Sequence, residues 1–183
     1  MNVFFLNSNS KLCAQYHVDR HVVSQLKEAA QLLSTAHRIL DGTPYIDTSS
    51  GRKIKRWKLE DNTLESLFYK ATHVNHPSAV WVRQSAENYM WLSKLLWDLS
   101  DEYTYRYGKV HKCTNTGLIL ALFDNVPKNI PHKPFTEPTC AMPDQYKVAG
   151  DSIKSYHNYY NGNKRHMFKW KNREVPYFIT GEV

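Results

Sequence analysis

The stretch HVDRHVVSQLKE, residues 17–28, gathers two histidines, an aspartate and a glutamate within a few helical turns. Imidazoles and carboxylates at such spacing can ligate a metal, pass protons or stabilise a developing positive charge. On a helix advancing by about 100° per residue, with His17 as zero, His21 falls at about 40°, Ser24 at about −20°, Glu28 at about 20° and Gln31 at about −40°. Val22, Leu26, Leu33 and Leu40 fall at roughly 140° to 180°, so a polar stripe runs along one side and an apolar face along another.

The stripe supports three readings. A surface helix needs a wet side, although such a side is usually built from Lys and Glu pairs rather than imidazoles, a hydroxyl, a carboxylate and an amide. A metal reading takes His17 and His21 at the i, i+4 spacing of helical zinc ligands. Its glutamate lies outside the H-E-x-x-H frame, Asp19 points about 200° away from His17, and a third ligand must come from a distant residue such as His73 or His76. The third reading is acid–base or electrostatic chemistry centred on Glu28, with His21 two turns earlier and Arg20 and Lys27 flanking the stripe to hold a phosphate.

The elements that must position this stripe are helical. Apolar residues recur from Lys11 to Leu40 at three-to-four spacing, which predicts one amphipathic helix ended by Asp41-Gly42. Residues 43–60 read as a mobile basic loop. Asp61 or Asn62 can cap a short helix through Lys70, and His76-Pro77 opens a second long helix running to Tyr107-Gly108. Thr114 or Asn115 can cap GLILALFDN, and Asp151 can cap SIKSYHNYYN, closed by Gly162. Between them, the prolines of Val126 to Pro143 remove the donors that a helix or central strand needs. Val3 to Leu6 is a candidate short strand. The expected fold is all-α: a compact single domain over 1–183, with two long and several short helices and long basic loops.

The formal charge is +7, and aromatic residues make up 13% of the chain, so it folds and favours a polyanion. Nucleic acid is preferred to a membrane because no amphipathic Lys-rich helix or lipidation signal accompanies the charge. The candidate contacts are RKIKRWK, with Arg52, Lys53, Lys55, Arg56 and Trp57, and the basic aromatic tail 163–183, with Lys169, Trp170, Lys171 and Arg173. Arg106, at the end of the second long helix, joins them. Basic side chains would contact phosphates, and Trp57, Phe168 or Trp170 could stack on a base or fill a gap in the duplex. The plainer alternative is solvated lysines and aromatics packed onto the body. Three widely spaced cysteines, Cys13, Cys113 and Cys140, suit a reducing cytoplasm. The short apolar run VFFL is no signal peptide, and nothing approaches the roughly 20 apolar residues of a membrane span.

RHVVSQLKE, residues 20–28, resembles the catalytic helix of the phage endonuclease-V-type pyrimidine-dimer DNA glycosylases, with His21, Lys27 and Glu28 at the family's His, basic and Glu positions. HPSAVWVRQSAENYMWLSKLLWDLSDEYTYRYGK is similar to the family's second long helix, and WKNREVPYF to its C-terminal end. The resemblance covers roughly half the chain. It implies a compact all-α fold, no metal or other cofactor, and a protein expected to act as a monomer on double-stranded DNA carrying a damaged or modified pyrimidine.

In that family a chain-terminal amine attacks the sugar C1′ and forms a Schiff base, while the glutamate stabilises the positive sugar and assists the proton transfers that cleave the strand. Glu28 matches that glutamate. The family's best-known members expose a Thr amine after Met removal, whereas Asn2 is too large for that trimming, so Met1 is expected to keep the amine. A short insertion before His21 bears on whether this amine reaches Glu28, and a hydrolytic variant would use Glu28 or Asp19 to activate water. Two other classes stay open. One is a metal-dependent hydrolase or DNA base-modifying enzyme using His17, His21 and a distant ligand, and the other is a non-catalytic phage DNA-binding protein.

Overall fold

In a computed structural model that describes residues 1–181, eight α-helices and one two-stranded hairpin surround a shared core. The fold is therefore mostly helical, not purely α.

The predicted helix from Lys11 to Leu40 is two helices, α1 (Ser10–Tyr16) and α2 (Asp19–Asp41). His17 and Val18 both adopt extended backbone, with ψ of 135° and 153°, which turns the chain between them. Helical periodicity misses this break because Cys13, Ala14, Val18 and Val22 all reach the core from either side of it. Asn9 caps α1 through its side chain. Gly42 ends α2, and a Cβ there would lie 2.5 Å from the Arg38 carbonyl oxygen, so a side chain is excluded by contact rather than by backbone angle.

The basic loop is also reorganised. Residues 43–60 contain β1 (Thr43–Asp47) and β2 (Ile54–Lys58), paired antiparallel with Tyr45 opposite Arg56 and Ile46 opposite Lys55. Tyr, Ile and Trp in these runs favour a pleated surface. Asp47 Oδ1 accepts from the Ser49 amide and hydroxyl, which starts the turn. Arg38, fully buried on α2, donates to the carbonyls of Trp57, Glu65, Phe68 and Tyr69, tying the hairpin and α3 (Asn62–Leu67) to α2.

The second long helix is interrupted. Ser85 is extended at φ −153°, and its hydroxyl accepts from the Glu87 and Asn88 amides, so α4 (Pro77–Val82) stops and α5 (Ala86–Tyr107) starts anew. That serine cap precedes a good helical sequence and overrides its continuity. Helix α5 packs along α1 and α2 through Leu92, Leu95, Leu96 and Leu99. Helices α6 (Lys112–Asn115) and α7 (Leu118–Asp124) follow, and Gly117 in the left-handed region at φ 75° replaces the expected Thr114 or Asn115 cap of α7. Residues 126–143 carry neither helix nor strand, as their prolines predict. Helix α8 (Ser152–Tyr159), capped by Asp151, continues through a π turn (Tyr160–Lys164) and a 3-10 turn (Arg165–Met167) instead of closing at Gly162.

The N-terminal run and residues 169–171 are both drawn into this body. Val3 to Leu6 is not a strand but a buried run, anchored where the Leu6 carbonyl meets His157 Nε2 at 2.9 Å. The Asp19 amide donates to the Lys169 carbonyl at 2.8 Å, and Asp19 Oδ1 accepts from the Lys171 amide at 2.9 Å. Residues 182 and 183 of the expected basic tail lie outside the described residues.

Candidate functional site

Glu28 sits on the solvent edge of α2 with its side chain 29% exposed. Its Oε2 receives three groups: the Met1 amine nitrogen at 3.6 Å, the Asn2 backbone amide at 3.3 Å and the Gln25 side-chain amide at 3.0 Å. The insertion before His21 thus does not hold the amine away, because α1 folds back and the buried run from Val3 to Leu6 carries Met1 across the start of α2. Asn2 completes the seating. Its Nδ2 donates to the Ala141 carbonyl at 2.9 Å, and its Oδ1 accepts from the Tyr156 hydroxyl at 2.8 Å.

The amine and Glu28 open into a polar cleft of about 310 Å³ lined also by His21, Ser24, His76, Tyr159 and Lys164. His21 is 6% exposed, stacks on Phe4 with ring centroids 4.2 Å apart, and meets the Tyr160 hydroxyl at 2.7 Å. Burial, then the His17, Lys164 and Arg20 charges, pulls its pKa down to about 3, so its ring is neutral at neutral pH and serves as a wall rather than a proton donor. His76 is likewise held below its usual value, first by burial and then by the amine and His73.

His17 is not part of the stripe. The break at Val18 takes it off α2, and it is fully buried, with Nδ1–H donating to the Cys13 carbonyl at 2.6 Å. Burial lowers its pKa to about 4. It therefore cannot join His21 as an accessible ligand pair, and among the described residues no group of three His, Cys, Asp or Glu side chains could hold a metal ion. Asp19 is committed as well. Arg106 and the Lys171 amide occupy its Oδ1, which leaves Glu28 as the accessible carboxylate of the polar stripe.

On the other side of Ser24 and Glu28 a larger cleft of about 750 Å³ lies between α2, the end of α3 and the α6 corner. Val23, Lys27, Leu67, Tyr69, His111, Lys112, Cys113 and Leu118 contribute to it. Sequence reading did not find Gln25, Tyr69 or His111, and it placed Lys164 in the basic tail rather than beside Glu28. Gln25 alone had a local signal, three residues before Glu28 and hence on the same helical face.

The basic candidates separate into two groups. Arg20, Lys27, Arg52, Lys53, Lys55, Lys169 and Lys171 are exposed. Arg56 lies 3.8 Å from Asp47, and Lys55 lies over the half-buried Trp57 ring at 5.3 Å. Arg106 and Trp170, expected at a DNA surface, are structural instead. Arg106 is 1% exposed and bound to Glu102, Asp19 and the carbonyls of Gln15 and His17, while buried Trp170 donates to the Tyr16 carbonyl. Arg173 is partly occupied by both Glu102 oxygens. No helix among the described residues is long and apolar enough to cross a membrane. Comparison with protein-family models, with curated proteins and with solved structures finds no match to this chain.

Proposed function

We propose that this protein is a DNA glycosylase with lyase activity that excises a damaged or modified pyrimidine from duplex DNA, in the manner of the phage endonuclease-V-type enzymes that residues 20–28 resemble. The reading rests on one observation above the others: the Met1 amine and the Glu28 carboxylate share a cleft, 3.6 Å apart. An unprotonated amine attacks C1′ of the target deoxyribose. The C1′–N bond breaks as the base departs with a proton, and the ring-opened sugar remains joined to the amine as an imine. Glu28 stabilises the positive sugar as that bond breaks. It then accepts the C2′ proton as the 3′ phosphate leaves, which nicks the strand. The exposed lysines and arginines of the hairpin and of residues 164–173 supply phosphate contacts. The cysteines Cys13, Cys113 and Cys140 are unpaired, consistent with work in a reducing cytoplasm.

The test is incubation with ultraviolet-irradiated duplex under borohydride. The expected product is a protein–DNA adduct that peptide mapping assigns to Met1. Base release without an adduct would replace the lyase by water attack assisted by Glu28, and neither release nor adduct, over a panel of oxidised and irradiated pyrimidines, would remove the glycosylase.

A second reading is favoured by the clefts that meet at Ser24 and Glu28, since base removal needs a receptacle on only one side. A base-modifying transferase would hold an extruded base in one and a small co-substrate in the other. Nucleoside mass spectrometry of treated DNA separates the two, because a transferase adds mass to a base and a glycosylase releases it.

A further inference from the structure

The larger cleft next to Glu28 is walled unlike the rest of the basic surface. Val23 is 43% exposed, a β-branched side chain presented to solvent on the helix that carries Glu28. Leu67, Leu118 and the Tyr69 ring add apolar surface, and Lys27 and Lys112 stand exposed. Neither lysine side chain has an acidic or hydrogen-bonding partner among the described residues. At about 750 Å³ the cleft has the size of a small-molecule site and would take a nucleotide with room to spare.

Away from the two lysines, His111 and Tyr69 give the lining uncharged polar groups that suit a neutral base. His111 Nδ1 accepts the Cys113 amide at 3.2 Å, so in the neutral ring the proton sits on Nε2, leaving a donor without a partner among the described residues. Burial lowers the His111 pKa, and burial followed by the Cys113 thiol raises that of Tyr69 to about 12, which keeps both rings uncharged at neutral pH. The wall is fixed from behind, because Arg38 Nε binds the Tyr69 carbonyl at 2.6 Å and the Tyr69 hydroxyl meets Cys113 Sγ at 3.4 Å.

We infer that the cleft bounded by Val23, Leu67, Tyr69, His111 and Leu118 receives the target nucleotide extruded from the duplex, with Lys27 and Lys112 holding its flanking phosphates. Apolar and aromatic walls replace the stacking lost on extrusion. The His111 Nε2–H offers a donor to a pyrimidine carbonyl oxygen. The shared lining residues, Ser24 and Glu28, place the sugar at the junction with the cleft that contains the Met1 amine. Duplex DNA fits this cleft because both unpaired cations lie beside the apolar wall, whereas a docked protein helix would need no cations there.

This inference rests on the glycosylase reading for its biology, yet its test does not require base release. The probe is a duplex carrying 5-iodo-deoxyuridine opposite an abasic analogue, a pairing that eases extrusion, irradiated in the presence of the protein. The expected result is a photo-crosslink mapped to Tyr69 or His111. Val23→Trp should reduce that crosslink about tenfold by filling the cleft from an exposed position, with a fully paired duplex bound as before. Lys112→Ser should weaken binding of the extrudable probe several-fold more than binding of the paired duplex. A crosslink mapped to Trp57 or Phe168, an unchanged crosslink in Val23→Trp, or a bound probe that gives none, would overturn the assignment. A crosslink in the cleft without base release from any pyrimidine tested would retain the nucleotide site and remove the glycosylase.

Discussion

The hydroxyl of Tyr156 donates to Asn2 Oδ1 at 2.8 Å, across 154 positions of sequence, and fixes the residue next to the Met1 amine. An attacking group must be held within a few tenths of an ångström to retain its advantage over one in solution. Tyr156→Phe is therefore expected to lower the rate of imine trapping about tenfold, while duplex affinity stays the same. The check is single-turnover trapping alongside an equilibrium binding titration. An equal loss in both would mean that the hydroxyl supports the fold rather than the amine.

Glu28→Gln keeps the shape and removes the charge. A carboxylate opposite a sugar that turns positive matters most at the transition state, so turnover should fall by about a hundredfold or more. Affinity for damaged duplex should hold or rise, because a carboxylate near phosphates opposes binding. Rates from single-turnover assays that match the parent would reduce the polar stripe to a solvated helix face.

The hairpin offers a different readout. Arg52, Lys53 and Lys55 are exposed, whereas Arg56 is shared with Asp47. Each phosphate neutralised contributes about 0.9 to the slope of log affinity against log salt. Replacing Arg52, Lys53 and Lys55 with Ser should flatten that slope by about 2 to 3 if all three contact DNA. An unchanged slope takes the hairpin out of the interface.

Acid should destabilise the protein from about pH 6.5, before most carboxylates titrate. Burial lowers the His17 and His37 pKa values to about 4 and that of His21 to about 3, from an ordinary 6.5. Between pH 6.5 and 4 the unfolded chain binds more protons than the folded one, so stability falls as pH falls through that window. At lower pH the carboxylates follow. Burial opposes the charge of Glu102, but Arg173 and Arg106 outweigh it and hold the carboxyl below its usual range. Urea midpoints measured from pH 7.5 to 4 should decline from about pH 6.5, and His17→Gln should decline less steeply.

Removing Arg106 should cost about 3 to 5 kcal/mol, because it leaves buried Glu102 with Arg173 as its single partner among the described residues and orphans the carbonyls of Gln15 and His17. Thermal or urea unfolding of Arg106→Leu measures it.

Local patterns in the sequence are enough for the body and C-terminal end of α2, though not its start, and for the Asp61, His76 and Asp151 caps and the Pro-rich connection. Each of these depends on neighbours a few residues apart. They were not enough where a distant partner decides. Glu102 lies four residues before Arg106 on the same helix, but such a pair suits an exposed arginine equally, and the partners that mark this one as buried come from residues 15, 17 and 19. Trp170 read as a stacking platform for the same reason, its indole being spoken for by Tyr16. Within the candidate site Glu28 and its neighbour Gln25 are legible from helical spacing, whereas Asn2 acquires its part only when the N-terminal run is laid across α2.

Helix α2 begins without a capping side chain of its own, and the Lys169 carbonyl and Lys171 amide join it at Asp19. During synthesis the helix bearing Glu28 thus waits for residues about 150 positions further along before its first turn is secured. Contacts of such sequence separation close late in folding. A chain cut short before residues 169–171 would carry the Met1 amine and Glu28 without the frame that brings them together, so the cleft they share would form only after those residues have been made.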